Sequence, residues 1–207
     1  WPARAEAQTV TPVYGSLKGA SLGDNAALNG ALPFPAGQAF NTDISKAAVD
    51  PGSAAIIASI GATASLRPDF GSGTWDGGPI GIPYVVVSGS QAKVTIRFTA
   101  YASESEPGPY PVPRTAPIEG GAASSGDRHV IVIDRDNNRL YELYRAFPNA
   151  DGSWSADCGA VFRLDSLTIR PTAKAGWTSA DAAGLPIFPG LVRYDEAMRG
   201  AGGIRHA

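Results

Sequence analysis

The 207-residue chain has a single cysteine, Cys158, and two histidines, His129 and His206. One thiol excludes an intrachain disulfide and every cysteine-cluster metal site, and "DCGAVF" supplies no local base to activate Cys158 as a nucleophile. A lone free cysteine of this kind behaves as a small buried hydrophobe. Two histidines 77 positions apart, without local ligand spacing, give no basis for a transition-metal centre, and no cofactor is expected. There is no excess of positive charge either: 17 Lys and Arg against 19 Asp and Glu leave a net charge of −2, so nothing holds a nucleic-acid backbone. The longest apolar runs, such as "IPYVVV", are strand-sized, far short of the roughly 18 residues a membrane span needs, so no membrane partner is expected. The N-terminal "WPAR" lacks the basic and apolar regions of a secretory signal, leaving either a cytoplasmic chain or one whose signal has been removed.

With 43% hydrophobic residues, the chain is long enough for one full core. Residues 1–35 are rich in Ala, Gly, Ser and Asn without a sustained period, which reads as a loosely attached arm, followed by a single domain over 36–207. In "DISKAAVDPGSAAIIASIGA" the Asp-Pro start and the Gly stop predict a short helix over 53–60. The period then changes to two. "KVTIRFTAY" alternates Val94, Ile96 and Phe98 against Lys93, Thr95, Arg97 and Thr99, and is expected to form a hairpin with "IPYVVVS". "HVIVID" and "LYELYRAF" form a second hairpin around Asp136, Asn137 and Asn138, and "CGAVFRL" adds a strand. The expected fold is mainly β, an antiparallel, jelly-roll-like sandwich with two short helices, the second near 190–198, and long Pro/Gly-rich loops.

Between the hairpins, five prolines in residues 103–127 exclude a central strand. Tyr110, Val112 and Ile118 give this long loop apolar residues with which to pack, so it is expected to be ordered. "GGIRHA" reads as the opening of a strand that the chain does not complete, which suggests a domain incomplete at its C-terminus.

His129 opens the second hairpin. A turn of two or four residues puts His129, Ile131 and Ile133 beside Leu140, Glu142 and Tyr144; a turn of three substitutes Tyr141, Leu143 and Arg145. The even register is expected. It offers a His/carboxylate/Tyr set for acid–base chemistry, the plain alternative being a histidine that hydrogen-bonds at a sheet rim. Glu104 and Glu106, two apart at the start of the proline loop, are the further carboxylate candidates, expected at the rim of the same cleft; solvated surface acids are the alternative.

The strings "NTDIS", "RPDFGSGTWDGGPIGIPYVVV", "ESEPGPYPVP", "GDRHVIVIDRDNNRLYELY" and "GWTSADAAGLPIFPGLVRYDE" resemble a group of uncharacterised secreted proteins of soil bacteria with GC-rich genomes, over roughly residues 39–206. The resemblance implies export after signal removal and no particular activity. Where the group's pattern has histidine, this chain has Arg67, which argues against a shared metal site.

Two function classes follow. One is a secreted enzyme acting on polysaccharide by hydrolysis or β-elimination, with His129, Glu142, Tyr144, Glu104 and Glu106 as catalytic candidates and Trp75, Trp154, Trp177 and Tyr110 as sugar-binding aromatics. The other is a non-catalytic extracellular module that binds glycan or associates with itself through free strand edges in residues 5–30 and 203–207.

Overall fold

The computed structural model describes residues 11–65, 73–75, 77–198 and 204–206. Its elements are β1 (Val13–Tyr14), β2 (Gly23–Asp24), β3 (Ala31–Leu32), α1 (Ser53–Ile60), β4 (Thr74–Trp75), β5 (Gly78–Pro79), β6 (Tyr84–Val87), β7 (Ile96–Phe98), β8 (Val130–Asp134), β9 (Arg139–Tyr144), β10 (Phe147–Pro148), β11 (Trp154–Ala156), β12 (Cys158–Arg163) and α2 (Tyr194–Ala197). The fold is mainly β, with several sheets and two short helices. α1 occupies the span read from the sequence, whereas α2 is a four-residue helix preceded by a 3-10 turn at Phe188–Gly190, because Pro189 interrupts regular pairing there.

The β8–β9 hairpin is the centre of the structure. Its turn has four residues: Asp134 closes it by accepting hydrogen bonds from the Asn137 amide and side chain, and Asn138 takes the left-handed φ of +49° that asparagine tolerates. The register pairs Ile131 with Glu142 and Ile133 with Leu140, which is the even register. β12 continues antiparallel on β9, and β6 lies parallel to β8 on the other side with β2 antiparallel beyond it. The resulting five-stranded sheet is mixed rather than purely antiparallel.

The expected β6–β7 hairpin does not form. All four residues of β6 are buried, Tyr84 and Val86 in one apolar cluster and Val85 and Val87 in another, so this strand belongs inside a sheet covered on both faces. β7 keeps a wet face, with Lys93, Thr95, Arg97 and Thr99 exposed, and cannot sit there. It pairs instead in parallel with β11, which also pairs with β10 to make a three-stranded sheet.

Two clusters cover the two faces of the central sheet. On one face Val85, Val87, Val130, Val132 and Leu143 meet Ile96 and Trp154 of the smaller sheet and Tyr110 and Val112 of the proline loop, which is ordered by that packing. Gly159 in β12 lets the layers approach: a Cβ there would stand 2.7 Å from the Phe98 ring. On the other face Tyr84, Val86, Ile131, Ile133 and Phe162 meet Leu17, Leu28, Phe34 and, from the C-terminal part, Phe188. Residues 11–35 are therefore not a loose arm. Leu17 and Phe34 are fully buried, and each such side chain contributes about 1.5–3 kcal/mol relative to exposure. Residues 1–10 lie outside the described set, as does Arg67. Ile204, Arg205 and His206 are not in a strand, and the rest of the "GGIRHA" segment is outside the described residues.

Candidate functional site

His129 enters β8 from a loop that Arg128 holds in place. Arg128 has a φ of +50°, is 4% exposed, donates to the carbonyls of Ala122, Ser124 and Ala146, and lies over the Phe147 ring at 4.2 Å. The chain thereby brings Glu119 back to His129. The Glu119 amide donates to the His129 carbonyl at 3.0 Å, and Glu119 Oε2 lies 2.6 Å from His129 Nδ1. His129 Nε2 lies 2.9 Å from the carbonyl oxygen of Ala180. Both ring nitrogens face acceptors, so the imidazolium is the form that satisfies both. Burial opposes that charge, but the hydrogen bonds to Glu119 and Ala180 outweigh it and raise the His129 pKa. Burial likewise pushes Glu119 up, and the bonds from His129 more than reverse this, leaving it below its ordinary value.

The carboxylate expected to pair with His129 is elsewhere engaged. Glu142 shares its face of the hairpin but is fully buried, and its two oxygens accept from the amides of Ile187 and Phe188 at 2.8–3.0 Å. Burial pushes its pKa up to about 7 against the lowering effect of those two amides. The partner of His129 is thus Glu119. Tyr144 is half-buried, its ring centroid 5.7 Å from that of His129, and its pKa is raised by burial and by the charge of Asp127.

Glu104 and Glu106 hold the same C-terminal segment. Glu104 accepts from the Thr178 amide at 2.9 Å. Glu106 pairs with Arg170 at 2.6 Å and Lys174 at 2.9 Å, and its other oxygen accepts from the Val161 amide at 3.2 Å. Ser105 and Glu106 also bond both backbone groups of Gly159, so they occupy the outer edge of β12. Four of the five catalytic candidates are therefore anchors for residues 170–188. Glu104 and His129 are linked through Thr178 and Ala180, but neither glutamate borders the clefts below.

The aromatics divide in the same way. Trp154 and Tyr110 are each 1% exposed and belong to the core, with the Tyr110 hydroxyl donating to the Glu106 carbonyl, so neither can stack on a sugar. Trp177 is half-buried, with Lys174 Nζ 5.5 Å from its ring centroid. The side chain of Trp75 lies outside the described residues.

The open surface of interest is a pair of adjoining clefts. One, of about 640 Å³, is bordered by Glu119, Gly120, Ser124 and Asp127; the other, of about 980 Å³, by Pro83, Tyr84, Pro117, Leu191, Arg193 and Tyr194. Pro79, Ile80 and Gly81 border both, so the two form one groove. At Gly120, on the wall of the smaller cleft, two backbones touch: a Cβ on Gly78 would fall 2.1 Å from the Gly120 carbonyl oxygen, so this approach requires glycine. Among the described residues Arg193 is the one charged residue of the larger cleft, its side chain 3% exposed, paired with Glu196 at 2.5 Å, its Nε without a hydrogen-bond partner among them. Tyr194 stands beside it, 79% exposed. Glu119, Arg193 and Tyr194 were not singled out from sequence. They sit in irregular segments, and only the fold brings them to one groove. No protein-family model, curated protein or solved structure matches this chain.

Proposed function

We propose that the protein is a non-catalytic extracellular module that holds an extended glycan in this groove. The observation that carries the reading is the exposed ring of Tyr194 on the wall of a cleft continuous with one that presents Glu119, Asp127 and Ser124. A pyranose lays its apolar face on an aromatic ring, and carboxylate and hydroxyl oxygens accept from its hydroxyl groups. The packing of the smaller sheet on the central one through Ile96 and Trp154 supports a sandwich-like scaffold for the groove, with parallel pairs in both sheets.

Hydrolysis or elimination finds less support. Both nitrogens of His129 are bonded and the carboxylate of Glu142 is buried against two amides. Glycoside hydrolysis needs two carboxyl groups flanking an accessible bond. The test is binding to a panel of plant, fungal and algal polysaccharides, followed by analysis for released or unsaturated products. Binding without turnover, weakened about tenfold by Tyr194→Ala through loss of about 1.4 kcal/mol, is expected. Products that disappear in Glu119→Gln would replace this reading with a polysaccharide-active enzyme using Glu119 and Asp127. No binding at all would end it.

A further inference from the structure

Residues 42–65 form an excursion in which no residue is buried. Within it α1 reads SAAIIASI, without a charged side chain. Ile56 and Ile60 are four apart and Ile57 and Ile60 three apart, so they share one face with Ser53. Ile56, Ile57 and Ile60 are 57%, 52% and 69% exposed, and the preceding Ile44 and Val49 are 71% and 79% exposed. This is the densest run of exposed aliphatic residues in the described chain. An isolated helix of eight residues is marginal in water, and a helix apolar on all sides is normally covered.

We propose that α1, with Ile44 and Val49, is the interface for a second copy of this chain. Five aliphatic side chains exposed to this degree present on the order of 500 Å², so two copies meeting face to face remove about 1,000 Å², the lower bound for a specific interface. The helix carries no charge to repel its own image, and the exposed Lys46 and Asp50 that precede it have opposite signs, so two copies meet without net charge repulsion. None of these residues borders the groove, so the assembly leaves both grooves open and would engage a polymer at two points. The proposal does not depend on the glycan reading.

Chemical cross-linking tests it directly. The native thiol, Cys158, is 2% exposed and pushed up to about 11 by burial, so it does not compete with an introduced one. Ser53→Cys is expected to give a covalent dimer with a bis-maleimide, and Ala150→Cys, exposed on the turn between β10 and β11, to remain monomeric. Light scattering coupled to gel filtration should show twice the 21.3 kDa chain mass, and the double variant Ile57→Lys/Ile60→Lys should run as a folded monomer with a wild-type circular-dichroism spectrum and a Tm that, unlike the wild type's, does not depend on concentration. A wild-type chain that stays monomeric at about 100 μM, well above the Kd a small specific interface allows, overturns the proposal. A dimer that survives the double substitution does the same. So does a monomer that co-sediments with phosphatidylcholine or phosphatidylglycerol vesicles in an Ile60-dependent manner, which would assign the face to a lipid surface.

Discussion

Glu119 and His129 are joined three times, through the 2.6 Å contact of Oε2 with Nδ1, through the Glu119 amide on the His129 carbonyl, and through the His129 amide, which donates to Glu119 Oε2 at 3.3 Å. The raised pKa of His129 means that its stabilisation is complete below its ordinary 6.5 and is lost as pH rises through the folded value. Glu119, lowered from 4.5, contributes above that value and loses its contribution as pH falls through the folded one. Glu142, raised to about 7, loses stabilisation as pH rises from 4.5 through 7. Together the three place maximal stability on the acid side of neutrality, Glu119 setting the lower limit and His129 and Glu142 the upper. Thermal unfolding from pH 3 to 9 should peak there, and an NMR titration should show His129 above 6.5 in the wild type and lower in Glu119→Gln; a midpoint indifferent to that substitution would refute the pairing.

Removing the Glu142 carboxylate leaves the Ile187 and Phe188 amides without their acceptor inside the protein. Glu142→Ala should cost about 2–5 kcal/mol by denaturant unfolding, from two buried donors plus the vacated space. Glu142→Gln should be milder and should flatten the pH dependence between 5 and 7.

The Glu106 and Arg170 side chains are 8% and 11% exposed, so removing Arg170 leaves the buried Glu106 charge with only the more exposed Lys174 ammonium to face it. Arg170→Ala should destabilise by about 3 kcal/mol and open residues 170–188 to limited proteolysis. The double substitution Arg170→Met/Glu106→Leu should recover part of the loss, because the Lys174 ammonium that then lacks a partner is 31% exposed and can be solvated. Proteolysis that begins elsewhere would show that Glu106 is not the anchor.

At the wall of the groove, Gly78→Ala must displace the Gly120 backbone. A loss of about 1–3 kcal/mol is expected, together with weaker glycan retention. Retention unchanged in a destabilised variant would separate the wall from the binding site.

The parts of the fold legible in the sequence were those fixed by neighbours in the chain. The Asp136, Asn137 and Asn138 turn, the even register that it sets at Ile131 and the Asp-Pro start of α1 each act over a few residues, and each is found at the predicted place. Tyr84, Val85, Val86 and Val87 carried the sign of a doubly covered strand, yet proximity to "KVTIRFTAY" suggested a hairpin; the wet face of β7 decides against it. At the site, the register toward Glu142 and Tyr144 was accessible, whereas Glu119 reaches His129 across a proline loop with no period to betray it. Trp154 looked like a sugar platform because tryptophan serves both roles, and only its place in β11 settles that it is core.

One apolar cluster contains Leu17 and Phe34 from the start of the described chain and Phe188 from near its end. Asn138 in the central turn accepts from the Leu17 amide 121 positions away. A chain emerging in order from the ribosome can form the β8–β9 hairpin early, but that side of the sheet stays open until residue 188 is available, so its closure comes last. Chains ending short of Phe188 would retain the hairpin and expose one face of it, and shortening the chain one residue at a time from the C-terminal side should show a sharp onset of aggregation at that point rather than a gradual decline.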